Sequence, residues 1–249
     1  MAMPLRQISH GGRQWPLCLI EVEDDAVENY QAQLTVEQAK PYLAEPKVGD
    51  LIIDEVPYLI AAAPALASLR AATLASAELD WSKVTVSLAD ERWVPVEHAD
   101  SNAGLLARHL LKGAAAKARF VGLYQQAENL DAAALKADQA LAELPPIDVL
   151  VLGMGDDGHT ASLFPASPNL EAGLDPAGPR RCLPLLAPSV PHQRLSMTRS
   201  LLASAAFIAL SVQGQSKLAT LRAALAGNDL TEMPIRAFLH DPLDIYWCP

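Results

Sequence analysis

Short runs in which nearly every side chain is apolar alternate along the chain with stretches whose apolar residues recur every three or four positions. Val84–Ala89, Ile147–Leu152 (IDVLVL) and Ala206–Val212 (AFIALSV) are the clearest runs. Being apolar on both faces, they predict strands buried inside a parallel sheet. Between them the spacing predicts helices. Ser101 is placed to N-cap one that carries Leu105, Leu106, His109 and Leu110 and stops at Gly113. Asn129–Leu144 is an alanine-rich helix ended by Pro145-Pro146, and Gln215–Leu225 another ended by Gly227-Asn228. Strands alternating with helices predict a layered α/β fold, with ligands bound beyond the carboxyl ends of the strands. No repeat or low-complexity linker interrupts the pattern, so residues 1–249 read as a single α/β domain. The proline- and glycine-rich piece Pro165–Pro179 reads as a long loop on the active-site side.

Composition changes this picture only at its margins. With 249 residues and 51% hydrophobic side chains, the chain suffices for a sizeable core. Nineteen Lys and Arg against 29 Asp and Glu leave a formal charge of −10, which argues against a nucleic-acid partner. A local basic pocket on an acidic protein can still take a small anion. The three cysteines, Cys18, Cys182 and Cys248, are scattered and odd in number, so neither a disulfide framework nor a zinc site is expected. Met1–Ile20 has no uninterrupted apolar core, and the alanine-rich run Leu59–Ala77 is broken by Pro64, Ser68 and Arg70. The expectation is a soluble cytoplasmic protein, monomer or weak homodimer, without a membrane partner, metal or cofactor.

The richest chemistry lies in Asp148–Pro165, DVLVLGMGDDGHTASLFP. Gly153, Gly155 and Gly158 let the backbone turn sharply and approach a ligand closely. They spell GxGxxG, with Glu171 near the place of a ribose-binding acid. Pro165 and Pro168, however, cut the following helix short, and two loop aspartates would repel a pyrophosphate. The segment after the glycines is expected to open a helix whose free N–H groups face the turn. His159 fits a general base, with Asp157 two residues earlier to orient the ring. A helix-capping histidine satisfied by backbone is the alternative.

GMGDDGHTASLFP is similar to the signature of the 6-phosphogluconolactonase family. The related glucosamine-6-phosphate deaminases carry a GxGxDGHIAF version on the same fold, and Thr160–Pro165 follows the lactonase side. Leu88–Asn102, LADERWVPVEHADSN, resembles the family's DERxVP and SN segments. Pro191–Thr198, PHQRLSMT, resembles its PxxR segment, with Ser196 where a threonine is common. Gly214–Lys217, GQSK, matches its GxxK. The resemblance implies a three-layer, Rossmann-like α/β/α fold with a mostly parallel sheet, as in the deaminases. It implies hydrolysis of 6-phospho-D-glucono-1,5-lactone in the oxidative pentose phosphate pathway. It also implies that Arg92 and Lys217 hold the phosphate.

The residues themselves leave several roles open. Arg92 offers a planar fork for phosphate or a salt bridge to Glu91. Asp90 and Glu91 read as orienting groups, and Asn102 as a cap or a ligand contact. Arg194 either touches substrate or braces the site. Lys217 sits in a first helical turn, unfavourable for a cation unless an anion is near, or else it is a surface lysine. The Gly153–Gly158 turn is expected to donate N–H groups to an oxyanion.

The resemblance runs from about Asp80 to the C-terminus, and residues 1–80 diverge from it. The family's SGGxTP phosphate loop would fall where this chain reads Ile60-Ala61-Ala62-Ala63-Pro64. Gly11-Gly12 lies too far upstream to replace it and has no apolar strand before it. Glu21–Glu55 is acidic and lacks the usual helix-then-strand pattern. Two other readings remain: an amino-sugar-phosphate isomerase/deaminase, and a sugar-phosphate-binding protein without turnover.

Overall fold

The computed structural model describes residues 3–10, 13–21, 58–62, 79–189, 191–239 and 243–248. The strands are β1 (Met3–His10), β2 (Arg13–Glu21), β3 (Tyr58–Ala62), β4 (Val84–Leu88), β5 (Asp90–Arg92), β6 (Arg119–Val121), β7 (Val149–Leu152), β8 (Cys182–Leu186), β9 (Gln193–Met197), β10 (Phe207–Gln213) and β11 (Asp244–Cys248). The helices are α1 (Asn102–His109), α2 (Leu130–Ala142), α3 (Leu170–Leu174), α4 (Arg199–Leu202) and α5 (Gly214–Ala226).

Eight strands form one sheet in the order β1-β2-β11-β10-β7-β3-β4-β6. Every neighbouring pair is parallel except β1 with β2. With its flanking helices this is a three-layer α/β/α fold. The apolar runs became its central strands: Val84–Leu88 is buried throughout and β10 is buried from Ile208 to Val212. Asn129 caps α2 through its side chain, which accepts the Ala132 amide at 2.9 Å, and α5 ends at Gly227. Among the described residues no helix is long and apolar enough to cross a membrane.

A second, antiparallel sheet, β5-β9-β8, was not foreseen. Its strand β5 is the polar triplet Asp90-Glu91-Arg92, which carries no hydrophobic period to betray it. Pro184 lies in β8, an edge strand, where a missing N–H is tolerated. The Met197 amide donates to Ala89 O at 2.8 Å, joining this sheet to the end of β4. Helix α2 packs on β8 and β9, and Asp138 pins them by accepting the Arg181 and Cys182 amides at 2.6 and 3.0 Å. Burial first, then the Asp138 charge, pushes the Cys182 thiol up to about 12, so it stays unreactive.

Several local expectations need correction. Helix α1 ends at His109, before Gly113, which instead opens a 3-10 turn at φ +54°. Pro165–Pro179 contains α3, because Leu170 and Leu174, one turn apart, are both buried. Strand β1 does precede Gly11-Gly12, and it pairs with β2 so that His10 faces Arg13. The two glycines, the stretch 22–55 and Ala63-Pro64 lie outside the described residues. Residues 58–62, just ahead of Ala63, form β3 between β7 and β4.

Glu91 anchors the start of α1. Its carboxylate accepts the amides of Arg92, Asn102 and Ala103 at 2.8, 2.7 and 2.8 Å and the Ser101 hydroxyl at 3.3 Å. Ser101 Oγ in turn accepts the Gly104 amide at 3.1 Å, the expected N-cap. Burial pushes the Glu91 carboxyl above its usual range, and the three amides offset this only in part. Glu91→Ala strands these buried donors and is expected to destabilise the fold by about 2–4 kcal/mol, with a smaller loss for Glu91→Gln. Urea unfolding checks this, and a change below about 0.5 kcal/mol would contradict it.

Candidate active site

Strand β7 delivers the chain into Gly153, beyond the carboxyl end of the sheet. The Gly155 amide donates to His159 O at 2.9 Å and the Gly158 amide to Gly155 O at 3.1 Å. Thr160 Oγ1 donates to Gly153 O at 2.8 Å. Gly158 has φ +77°, where a side chain would be strained and would also strike Met233. A Cβ on Gly155 would overlap the His159 imidazole and the Asp157 carboxylate, so this glycine clears the space in which the pair meets.

Asp157 Oδ1 accepts the His159 amide at 3.1 Å and lies 2.5 Å from His159 Nδ1. Burial alone would push the Asp157 carboxyl up. The His159 amide, the charge of its ring and the ring hydrogen bond outweigh this and hold the carboxyl below its usual value. With Nδ1 engaged, Nε2 is the ring nitrogen left for chemistry. The imidazole packs on Phe164 with centroids 4.1 Å apart, and the side chain remains 29% exposed, open to a substrate.

The expected helix after the glycines does not form. Ala161 adopts φ +48°, incompatible with a right-handed helix, and the first helix downstream is α3. His159 is therefore no helix cap. The amides of Gly155 and Gly158 are engaged inside the turn, which removes them as the expected oxyanion donors.

The basic side of the site is built by β5 and β9. Their register sets Arg92 directly opposite Arg194 and Asp90 opposite Ser196. Like charges facing across strands destabilise a sheet unless an anion compensates them. Arg92 does not pair with Glu91. Its Nη1 donates to Asp100 O at 3.2 Å and to Asn102 Oδ1 at 2.5 Å. Asn102 also donates through Nδ2 to Asp90 O at 2.9 Å, so it braces Arg92 against β5.

Arg194 is only 6% exposed, and burial followed by the neighbouring Arg92 charge lowers its pKa from the usual guanidinium range. Nε of both arginines is buried without a hydrogen-bond partner. The Arg194 guanidinium carbon lies 5.9 Å from the Phe164 centroid, so one ring touches both His159 and Arg194. Ser162, which sequence reasoning passed over, ties the two halves together. Its hydroxyl donates to Asp90 Oδ2 at 2.7 Å and its amide to Ser196 Oγ at 3.2 Å. Ser162 and Phe164 stood within the recognised motif, but nothing in their spacing announced these contacts.

Lys217 approaches the same turn from the start of α5, with Nζ 3.4 Å from Asp156 Oδ1. Its side chain is 27% exposed, which sets it apart from a free surface lysine. Among the predicted residues, His159, Asp157 and the three glycines share one turn. Asp90, Arg92 and Arg194 lie on the antiparallel sheet linked to that turn, Asn102 braces the first two from the start of α1, and Lys217 reaches the turn through Asp156.

A family described as glucosamine-6-phosphate isomerases/6-phosphogluconolactonase matches residues 61–247. A curated 6-phosphogluconolactonase of Pseudomonas putida is 94% identical over 176 residues, covering 71% of this chain and 73% of its own length. One from Pseudomonas aeruginosa is 67% identical over 177 residues, covering 71% and 74%. The crystal structure of a 6-phosphogluconolactonase from Shewanella baltica superposes with a TM-score of 0.77 at 30% identity, over 93% of this chain and 97% of that one. By sequence and by fold alike, the chain belongs to the glucosamine-6-phosphate isomerase/6-phosphogluconolactonase family.

Proposed function

We propose that this site hydrolyses 6-phospho-D-glucono-1,5-lactone to 6-phosphogluconate, the lactone-opening step of the oxidative pentose phosphate pathway, with His159 as general base. The observation that carries the reading is the His159–Asp157 contact of 2.5 Å, which engages Nδ1 and leaves Nε2 as the ring nitrogen for the reaction. Nε2 takes a proton from water as the water oxygen attacks C1 of the lactone. The tetrahedral intermediate then collapses, the C1–O5 bond breaks, and the imidazolium returns the proton to O5. The new carboxylic acid ionises to solvent, so the net change is addition of one water. Asp157 holds the ring in one orientation and stabilises the imidazolium while it exists.

Arg92 and Arg194 supply two guanidinium groups to the phosphate, with Lys217 as a third cation. Asn102 and Asp90 act one step back, by fixing Arg92 and the strand that carries it. Gly153, Gly155 and Gly158 serve the site by shaping the turn. The reading includes a cytoplasmic setting and a monomer or weak homodimer.

His159→Ala is expected to remove essentially all acceleration over spontaneous opening of freshly made lactone. Asp157→Asn should lower kcat by about 10²-fold with a much smaller change in KM. A His159→Ala protein that keeps wild-type kcat would overturn the assignment, and release of ammonia from an amino-sugar phosphate would favour the deaminase reading. Arg194→Met is expected to raise KM by at least about tenfold while kcat changes less. An unchanged KM would move the phosphate elsewhere.

A further inference from the structure

Of the two adjacent aspartates in the turn, the mechanism uses only Asp157. Asp156 points the other way, onto α5. Its Oδ1 accepts the Ser216 hydroxyl at 3.0 Å and sits 3.4 Å from Lys217 Nζ. Its backbone is held in place independently, by the Thr220 hydroxyl donating to Asp156 O at 3.2 Å. The helix's own N-cap, Gln213, makes no side-chain capping hydrogen bond. A carboxylate from a distant segment therefore supplies the negative charge at the positive end of α5.

We propose that Asp156 is a built-in competitor for the phosphate seat beside Lys217, and that its carboxylate sets how tightly phosphorylated substrate is held. The inference rests on the reading that Lys217 helps hold the substrate phosphate. Asp156 occupies a hydroxyl donor and an ammonium that a phosphate oxygen would otherwise take. A phosphate monoester carries about −1.5 to −2 charges near neutrality, so it and the carboxylate repel each other at one ammonium. The Asp156 side chain is 67% exposed, free to turn into solvent when the phosphate arrives. The opposite role, in which Asp156 orients Lys217 for the substrate, predicts the opposite sign in binding.

The test compares wild type, Asp156→Asn, Lys217→Met and the double variant, by KM for the lactone and by the inhibition constant of inorganic phosphate. Asparagine still accepts the Ser216 hydroxyl but carries no charge, and unfolding midpoints confirm that each variant is folded. Asp156→Asn is expected to lower both constants about two- to fivefold at low ionic strength, the range for an exposed charge pair. The gain should shrink as salt is raised and vanish in the Lys217→Met background. An unchanged or raised KM in Asp156→Asn, with Lys217→Met still raising KM, overturns the competitor alone. An unchanged KM in Lys217→Met removes the seat itself and overturns the phosphate reading along with it.

Discussion

A single backbone hydrogen bond, from the Gly155 amide to the His159 carbonyl, closes the turn from which the rest of the site hangs. The turn can close this tightly because Gly155 has no Cβ to collide with the imidazole and the carboxylate lying across it. Once closed, it is held from four directions. Ser162 reaches Asp90 and Ser196, Asp156 reaches Ser216, the Thr220 hydroxyl donates to Asp156 O, and the Ile235 amide donates to Gly158 O at 2.9 Å. A segment with little regular secondary structure is thus positioned by hydrogen bonds to fixed elements on several sides. That arrangement fixes the backbone that carries the His159 ring from several sides.

Charge is distributed around this turn with a clear division. Glu91 is committed to the start of α1, Asp90 to Ser162, Asp157 to His159 and Asp156 to Lys217. Arg92 and Arg194 face each other across β5 and β9, and their Nε groups are buried without a partner. A chain of formal charge −10 therefore keeps a local demand for an anion. The phosphate of the proposed substrate fits that demand. The same arrangement explains why Phe164 is buried at the centre: its ring contacts both the imidazole and the Arg194 guanidinium.

The three central strands, the Ser101 cap and the glycine turn were legible because each depends on neighbours within a few residues. The fate of Glu91 and Arg92 was not. Adjacent in sequence, they suggest an ion pair, yet in a strand consecutive side chains point to opposite faces. Register then puts Asp90, Arg92, Arg194 and Ser196 on the side of the site, while Glu91 turns away to α1. The antiparallel sheet that imposes this register was hidden because β5 is polar and β8 contains a proline. The expected helix after His159 failed for a related reason: Thr160 Oγ1 is drawn back to Gly153 O, and Ala161 takes a left-handed conformation.

The amino-acid sequence by itself determined the parallel α/β framework, the family, and the segments that carry chemistry, because periodicity, caps and a contiguous glycine-histidine motif are local properties. Only the tertiary structure decided what each charged group faces. It set Arg92 against Arg194, turned Asp156 to Lys217, and engaged the Gly155 and Gly158 amides within the turn. Those pairings join residues from different strands and loops, and within the turn they depend on which way each side chain points. Strand register and backbone dihedrals set them, and neither is written in residue spacing.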